Sequence, residues 1–140
     1  MIESNLRKYS QLETLNVSRE TFSALEKFRL LLIDENKRIN LISKSTEKDS
    51  IKRHIIDSAQ ITDIIDKNAK SCIDLGSGSG LPGVVLAIIF KEKGSKIKFD
   101  LYEKSIKKSK FLKKVVKHFD LNAEVKPKNI FDEKNLEADI

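Results

Sequence analysis

One stretch limits what this chain can fold into more than any other: Asp74-Leu75-Gly76-Ser77-Gly78-Ser79-Gly80-Leu81-Pro82-Gly83. A short apolar run, Cys72 to Leu75, leads into it and reads as a buried strand. A longer one, Leu81 to Phe90, leaves it and reads as a helix. Strand, glycine turn and helix together bring backbone N–H groups to a ligand at a helix N-terminus. Four glycines in eight residues let the backbone approach that ligand closely. Pro82 suits the first helical turn, where a missing N–H costs little.

The loop reads two ways. Gly78-Ser79-Gly80-Leu81-Pro82-Gly83 matches the G-x-G-x-x-G fingerprint for dinucleotides, a weak signal by itself. Asp74-Leu75-Gly76-Ser77-Gly78-Ser79-Gly80 matches the acidic-x-G-x-G-x-G loop of S-adenosylmethionine-dependent methyltransferases. The acid two residues before the first glycine favours the second reading. A carboxylate at the strand end suits a ligand with a cationic amino group and sulfonium, whereas it would repel a pyrophosphate. On that reading Asp74, Gly76, Gly78 and Gly80 line the cofactor.

Around the loop, 140 residues make one ordinary domain, 39% hydrophobic and 34% charged. A net charge of +6 and a pI near 9.3 point to an anionic partner, nucleic acid first, against a surface that is merely solvated. The single cysteine, Cys72, excludes an intramolecular disulfide and a cysteine-based zinc cluster, and its place in the strand makes it an inert buried thiol. The N-terminus has no signal-peptide pattern and no apolar run reaches membrane-spanning length, so a cytoplasmic protein is expected.

Residues 1–69 lack glycine and proline and read as a helical N-terminal region. Ile2, Leu6, Tyr9 and Leu12 mark a first amphipathic segment. Ser18 is placed as an N-cap, with Val17 and Phe22 as a hydrophobic staple. Phe22, Leu25, Phe28 (or Leu30), Leu32 and Ile33 then form a buried face as far as about Lys37. After a break at Asn40–Ser43, Ser45 or Thr46 could cap a third helix. In it Ile51, Ile55, Ala59 and Ile64 or Ile65 share a side, and it ends near Asn68.

Residues 70–140 alternate strands with helices: strand 71–75, helix 81–91, strand 96–102, helix 105–118 with Ile106, Phe111, Val115 and Phe119 inward, strand 123–126, and a fourth strand beginning at Ala138. That alternation implies an α/β fold with a parallel sheet and right-handed crossovers. Only three whole strands fit where such sheets use about five or more. The chain is therefore expected to be a fragment or a truncated product, in which Cys72–Leu75 is left as an unpaired apolar edge prone to self-association.

Several side chains stand where chemistry is expected. Glu103 follows the second strand, 20 residues past Gly83, where an acid in nucleotide-type folds accepts both hydroxyls of a ribose; the competing reading is an acid that complements a helix dipole. Asn129-Ile130-Phe131-Asp132 follows the third strand, where a loop would cover an adenine. His54 and Asp57 share a helix face, either as a polar pair or, with Arg53 and Ser58, as a face toward the cofactor pocket. Two such residues do not make a metal site. Lys104, Lys107, Lys108, Lys110, Lys113, Lys114 and Lys117 crowd one helix, as a solvated face or as phosphate contacts.

Taken together, Asn40-Leu41, Arg53-His54-Ile55-Ile56-Asp57-Ser58, the glycine loop ending in Gly80-Leu81-Pro82-Gly83, and Lys107-Lys108-Ser109-Lys110-Phe111-Leu112 resemble the bacterial small-subunit ribosomal RNA guanine-N7 methyltransferases, also called glucose-inhibited division protein B. The resemblance covers about residues 20–140. It implies a helical region on a Rossmann-like methyltransferase sheet of strand order 3-2-1-4-5. It also implies methyl transfer from S-adenosyl-L-methionine to a guanine N7 of 16S ribosomal RNA, free or in the small ribosomal subunit. Carried over by position, Gly76 and Leu81 would contact the cofactor, Glu103 its ribose, and Ile130 and Phe131 its adenine; His54, Asp57, Ser58, Lys107 and Lys108 are separate candidates for a pocket or RNA face. Two departures stand out: Asn129 where the family usually has arginine, and a Ser/Cys-Arg-Ala segment that would begin just past Ile140. The chemistry requires no metal and needs positioning more than a general base, because guanine N7 offers an in-plane lone pair and carries no proton. The alternatives are a nicotinamide-dependent oxidoreductase and a non-enzymatic basic RNA-binding protein.

Overall fold

A computed structural model of the chain describes residues 17–42, 50–66, 68–76, 78–128 and 140. Helix α1 spans Arg19–Asn36. Ser18 caps it from an extended conformation, its Oγ accepting from the Thr21 N–H at 3.0 Å, and Val17 and Phe22 are half-buried against the core. The buried stripe is Thr21, Leu25, Phe28, Leu32 and Asn36, a three-to-four-residue repeat that turns one face inward. Its two polar ends break the expected apolar pattern, and Leu30 lies outside it, 53% exposed. Asn36 is buried because its Oδ1 accepts from the N–H groups of Leu41 at 2.9 Å and Ile42 at 3.0 Å, tying the next loop to the helix end. The expected segment at Ile2–Leu12 and the caps Ser45 and Thr46 fall outside the described residues.

Helix α2 spans Ser50–Gln60 and tightens into a 3-10 turn, Ile61–Ile64. The helix thus ends earlier than the expected Asn68. Ile65 leaves the turn extended and buried, while Ile64 is 82% exposed. Ile55 and Ala59 face the core as expected; the side chain of Ile51 is outside the described residues.

Strand β1 (Ser71–Leu75), helix α3 (Gly83–Glu92), strand β2 (Lys98–Tyr102), helix α4 (Ile106–Phe119) and strand β3 (Ala123–Lys126) follow in order. The strands form a parallel sheet ordered β1-β2-β3, with Cys72 opposite Phe99 and Asp74 opposite Leu101. This is an α/β architecture with a helical N-terminal region, an incomplete Rossmann-like sheet. Every residue of α3 from Gly83 to Phe90 is buried. A helix that is apolar all round needs cover on every side, and α3 has it: the sheet packs on one side, α1 and α2 on the other. Each fully buried side chain here, such as Phe28, Leu32, Val84 or Phe99, contributes about 1.5–3 kcal/mol by leaving water. The core runs unbroken from Leu25 on α1 to Val125 on β3.

On β1, the Lys70 carbonyl accepts from Lys98 N–H at 2.9 Å, so the even-numbered residues address β2. Ile73 addresses the other edge, where its N–H donates to the Ile140 carbonyl at 2.7 Å. Ile140 therefore sits beside β1 on the side away from β2, the place of a fourth strand in the order 3-2-1-4. The edge expected to be bare is met at its middle residue. Among the described residues no helix is long and apolar enough to cross a membrane.

Candidate cofactor site

The site is built where β1 and β2 end. β1 carries the chain to Leu75, Gly76–Pro82 turn it back, and α3 starts at Gly83, two residues later than the apolar run suggests. Pro82 stands at the N-cap and has no side chain to cap with. Asp74 supplies the acceptor instead, its Oδ2 taking the Gly83 N–H at 3.0 Å. The acid at the strand end thus also anchors the helix that follows.

Glu103 does the corresponding work from β2. It is 7% exposed, with both oxygens engaged: Oε2 accepts from Gly78 N–H at 2.9 Å and Oε1 from Ser105 N–H at 3.1 Å. Its backbone is held too. Its carbonyl accepts from the buried Ser109 hydroxyl at 2.9 Å, and its N–H donates to the Lys126 carbonyl at 3.1 Å. One carboxylate therefore ties the glycine loop, the end of β2 and the start of α4 together. Ser105 also caps α4, its Oγ accepting from Lys108 N–H at 3.4 Å. Sequence reading places Ser105 at a helix start but misses that it and Ser109 hold Glu103. The traceable signal is the Glu-x-Ser-x-x-x-Ser spacing across a strand end and a helix's first turn.

The glycines divide. Gly76 (φ +69°) is exposed, and a Cβ there would meet nothing within 4 Å. At Gly78 a Cβ would stand 3.8 Å from Glu103 Oε2 and 3.9 Å from Lys108 Cδ. Gly80 (φ +88°) is buried, and its Cβ would crowd Val84 Cγ2 at 2.8 Å and Phe28 Cζ at 3.1 Å. Leu81 is half-buried against the core. At Gly83 a Cβ would run into the Asp74 carboxylate and stand 2.7 Å from Leu101 Cδ2.

Of the other candidates, Lys108 comes to the loop, its stem beside Gly78, while Lys107 is exposed on the outer side of α4. His54 and Asp57 are exposed on α2, and among the described residues neither side chain makes a hydrogen bond or ion pair. Ser58 is buried. The Arg53 side chain, Ser77, Asn129, Ile130 and Phe131 lie outside the described residues. Cys72 is buried below Asp74, and burial first, then the Asp74 charge, pushes its thiol up to about 11; it is no nucleophile at neutral pH. Two large apolar side chains escape the sequence reading as site residues: Leu75 at the end of β1, 57% exposed, and Ile106, which is expected inward but at the start of α4 points away from the Phe111–Val115 face and is 71% exposed. Leu75 directly precedes Gly76, and Ile106 directly follows the cap Ser105. Among the described residues no group of three or more His, Cys, Asp or Glu could hold a metal ion.

Comparison with known proteins decides the family. Residues 21–138 match the GidB family, described as rRNA small subunit methyltransferase G. The chain belongs to that family. It is 42% identical over 139 residues to a ribosomal RNA small subunit methyltransferase G from Pelagibacter ubique (strain HTCC1062), covering 98% of this chain and 65% of that protein. The protein of the same name from Jannaschia sp. (strain CCS1) is 40% identical over 124 residues, covering 89% of this chain and 59% of the relative. That of Bartonella henselae (strain ATCC 49882 / DSM 28221 / CCUG 30454 / Houston 1) is 46% identical over 121 residues, with 85% and 55% covered. The chain thus spans between about half and two-thirds of the length of these relatives. The matched region contains the loop, Glu103 and all of α4.

Proposed function

We propose that this chain carries the cofactor-binding part of an S-adenosyl-L-methionine-dependent methyltransferase that acts on N7 of a guanine in 16S ribosomal RNA, free or within the small ribosomal subunit, in the cytoplasm. The observation that carries this reading is the Glu103 carboxylate. It is held at the mouth of the glycine loop by two N–H groups, in a chain of the rRNA small subunit methyltransferase G family.

The residues fit such a cofactor. A carboxylate oxygen has two lone pairs, so each Glu103 oxygen can take a ribose hydroxyl beside the N–H it already accepts. The open space at Gly76 is where a ligand can lie against the backbone. Leu75 and Ile106 offer exposed apolar surface next to the loop and the Ser105 cap, and Ile130 and Phe131 are assigned to the adenine. Asp74 puts a carboxylate at the strand end, the sign that suits a cationic amino group. When bound, S-adenosyl-L-methionine supplies an electrophilic sulfonium methyl. What the protein must add is alignment of that methyl with the in-plane lone pair of N7, and alignment alone can account for much of such a barrier.

Calorimetry with S-adenosylhomocysteine and with NAD tests the cofactor, and methyl transfer to small ribosomal subunits tests the reaction. Binding of S-adenosylhomocysteine and not NAD is expected. Binding of NAD alone would return the loop to the dinucleotide reading. RNA binding with neither cofactor would leave a basic RNA-binding protein.

A further inference from the structure

Past Ile106, the outward side of α4 has no part in the cofactor site. The helix turns Ser109, Phe111, Leu112 and Val115 into the core. At 100° per residue the opposite arc, about 140° wide, is filled by Lys107, Lys110, Lys113, Lys114 and Lys117, all exposed, with Ile106 and His118 at its ends. The arc runs about 15 Å along the axis. No acid occurs anywhere between Ile106 and Phe119. Among the described residues no α4 lysine is in an ion pair, although the chain pairs Lys91 with Asp120 and Lys98 with Glu124 nearby. Like charges three and four residues apart weaken a helix. Here that repulsion is left uncompensated within the described fold.

Beside the far end of the arc lies a groove of about 490 Å³ between α1 and α4, lined by Arg19, Ser23, Lys27, His118 and Phe119, with Glu20 as its one acid. The ring of His118 stands edge-on to that of Phe119 at 4.8 Å between centroids. At its other end the helix begins at Ser105, bonded to Glu103. A cationic surface thus leads from the mouth of the candidate site to a groove offering cations, a hydroxyl and an aromatic edge.

We propose that this face of α4 and the groove beyond it dock the sugar-phosphate backbone of the RNA substrate. The inference rests on the rRNA methyltransferase reading and assigns it a surface. Lysine contacts to phosphate position RNA without reading its sequence, which suits a helix face that carries five exposed lysines and no acid. An anionic membrane fits less well, because a helix lying on lipid needs a free apolar side and that of α4 is buried in the core.

The test compares the chain with Lys110→Gln/Lys114→Gln/Lys117→Gln and with the corresponding triple Lys→Arg variant. The probes are a fluorescein-labelled single-stranded RNA of mixed sequence over a range of salt, vesicles of phosphatidylserine, and S-adenosylhomocysteine by calorimetry. These positions are exposed, so circular dichroism should show the helix intact. The glutamine variant should bind RNA at least about tenfold more weakly, and its log–log salt slope should be shallower by about 2, near 0.7 for each lost single-strand phosphate contact. The arginine variant should bind as the parent does, and all three should bind S-adenosylhomocysteine equally. Unchanged RNA affinity and slope in the glutamine variant would overturn the proposal, as would a parent that binds vesicles in preference to RNA, or no RNA at all. RNA binding lost as expected in a protein that takes up no S-adenosylhomocysteine would uphold the surface and sink the methyltransferase reading instead.

Discussion

The two halves of the glycine loop use one residue type for opposite purposes. In the first half, a Cβ on Gly76 would project into open space and one on Gly78 would make only ordinary contacts. In the second half, a Cβ on Gly80 would press into Val84 and Phe28, and one on Gly83 into Asp74 and Leu101. The first two glycines hold a left-handed backbone and leave open space beside it. The last two let helices α1 and α3 close onto the loop and the sheet. A glycine fingerprint therefore mixes binding with packing, and each of its positions fails in its own way when filled.

The largest effect is expected in the packed half. Gly80→Ala combines a left-handed backbone, costing an L-residue about 1–2 kcal/mol, with overpacking against Val84 and Phe28, typically about 1–3 kcal/mol. Urea unfolding should show a loss of about 2–5 kcal/mol, a large part of a small domain's stability. Gly83→Ala pays only the overpacking and should lose about 1–3 kcal/mol. A Gly80→Ala variant as stable as the parent would mean that α1 does not seat on the loop as described.

The open half should break the other way. Gly78→Val should abolish S-adenosylhomocysteine binding, because the added atoms occupy the space between the loop, Glu103 and the Lys108 stem, and should cost at least the left-handed backbone term of about 1–2 kcal/mol at its φ of +39°. Gly76→Ala carries only its backbone cost, about 1–2 kcal/mol. Calorimetry and thermal melting on the same samples separate the two properties. A folded Gly78→Val protein with parental affinity would remove the first half of the loop from the site.

Much of this arrangement was legible in the sequence, and what was not has a common cause. Ser18 and Ser105 mark helix starts because capping is local chemistry, read within three residues. The parallel sheet follows from alternation, and the loop from its glycines. Thr21 and Asn36 were not legible as buried, because their burial depends on partners a pattern of apolar residues does not register: the Ser18 cap and the N–H groups of Leu41 and Ile42. Ile64 and Ile65 could not be told apart until the helix was seen to tighten into a 3-10 turn, which alters the period. The bonds from Glu103 to Gly78, 25 residues apart, and from Asp74 to Gly83 are products of the folded sheet end. Sequence spacing could propose the two acids as ligand contacts. It could not reveal that both also hold the loop's shape.

That double duty gives a subtler test of the comparison. Glu103→Ala removes a charged acceptor from Gly78 and from the proposed ribose and should weaken S-adenosylhomocysteine by about 1–3 kcal/mol. Glu103→Gln retains an acceptor for only one of the two N–H groups. If Glu103 also works by shaping the loop, Glu103→Ala should weaken a 2′,3′-dideoxy analogue as well, though less than the parent ligand. A variant that loses affinity for the hydroxylated ligand alone would confine Glu103 to direct contact. Equal affinity of the unmutated chain for both ligands would take it out of the ribose site.

The smallest effect is a change in reactivity with no ligand present. Cys72 lies on β1 on the same face as Asp74, under the packed half, and its thiol is pushed up to about 11 by burial and by the Asp74 charge. The sign follows from the direction of the shift. Folding favours the protonated thiol, so its contribution to stability is complete below the unfolded value near 9.0 and declines as pH rises from there through about 11. At pH 8 the native thiol is neutral and covered, and alkylation by iodoacetamide must wait for the structure to open. Labelling of the folded parent should therefore be much slower than labelling in urea. Gly76→Ala, whose added methyl reaches no protein atom, should speed labelling only as far as its backbone cost raises the unfolded fraction, whereas Gly83→Ala, which pushes Asp74 and α3 apart above Cys72, should speed it beyond that by local opening. Matched labelling rates in these two variants, each corrected for its unfolded fraction, would show that the halves of the loop are not mechanically distinct and that all four glycines serve one purpose.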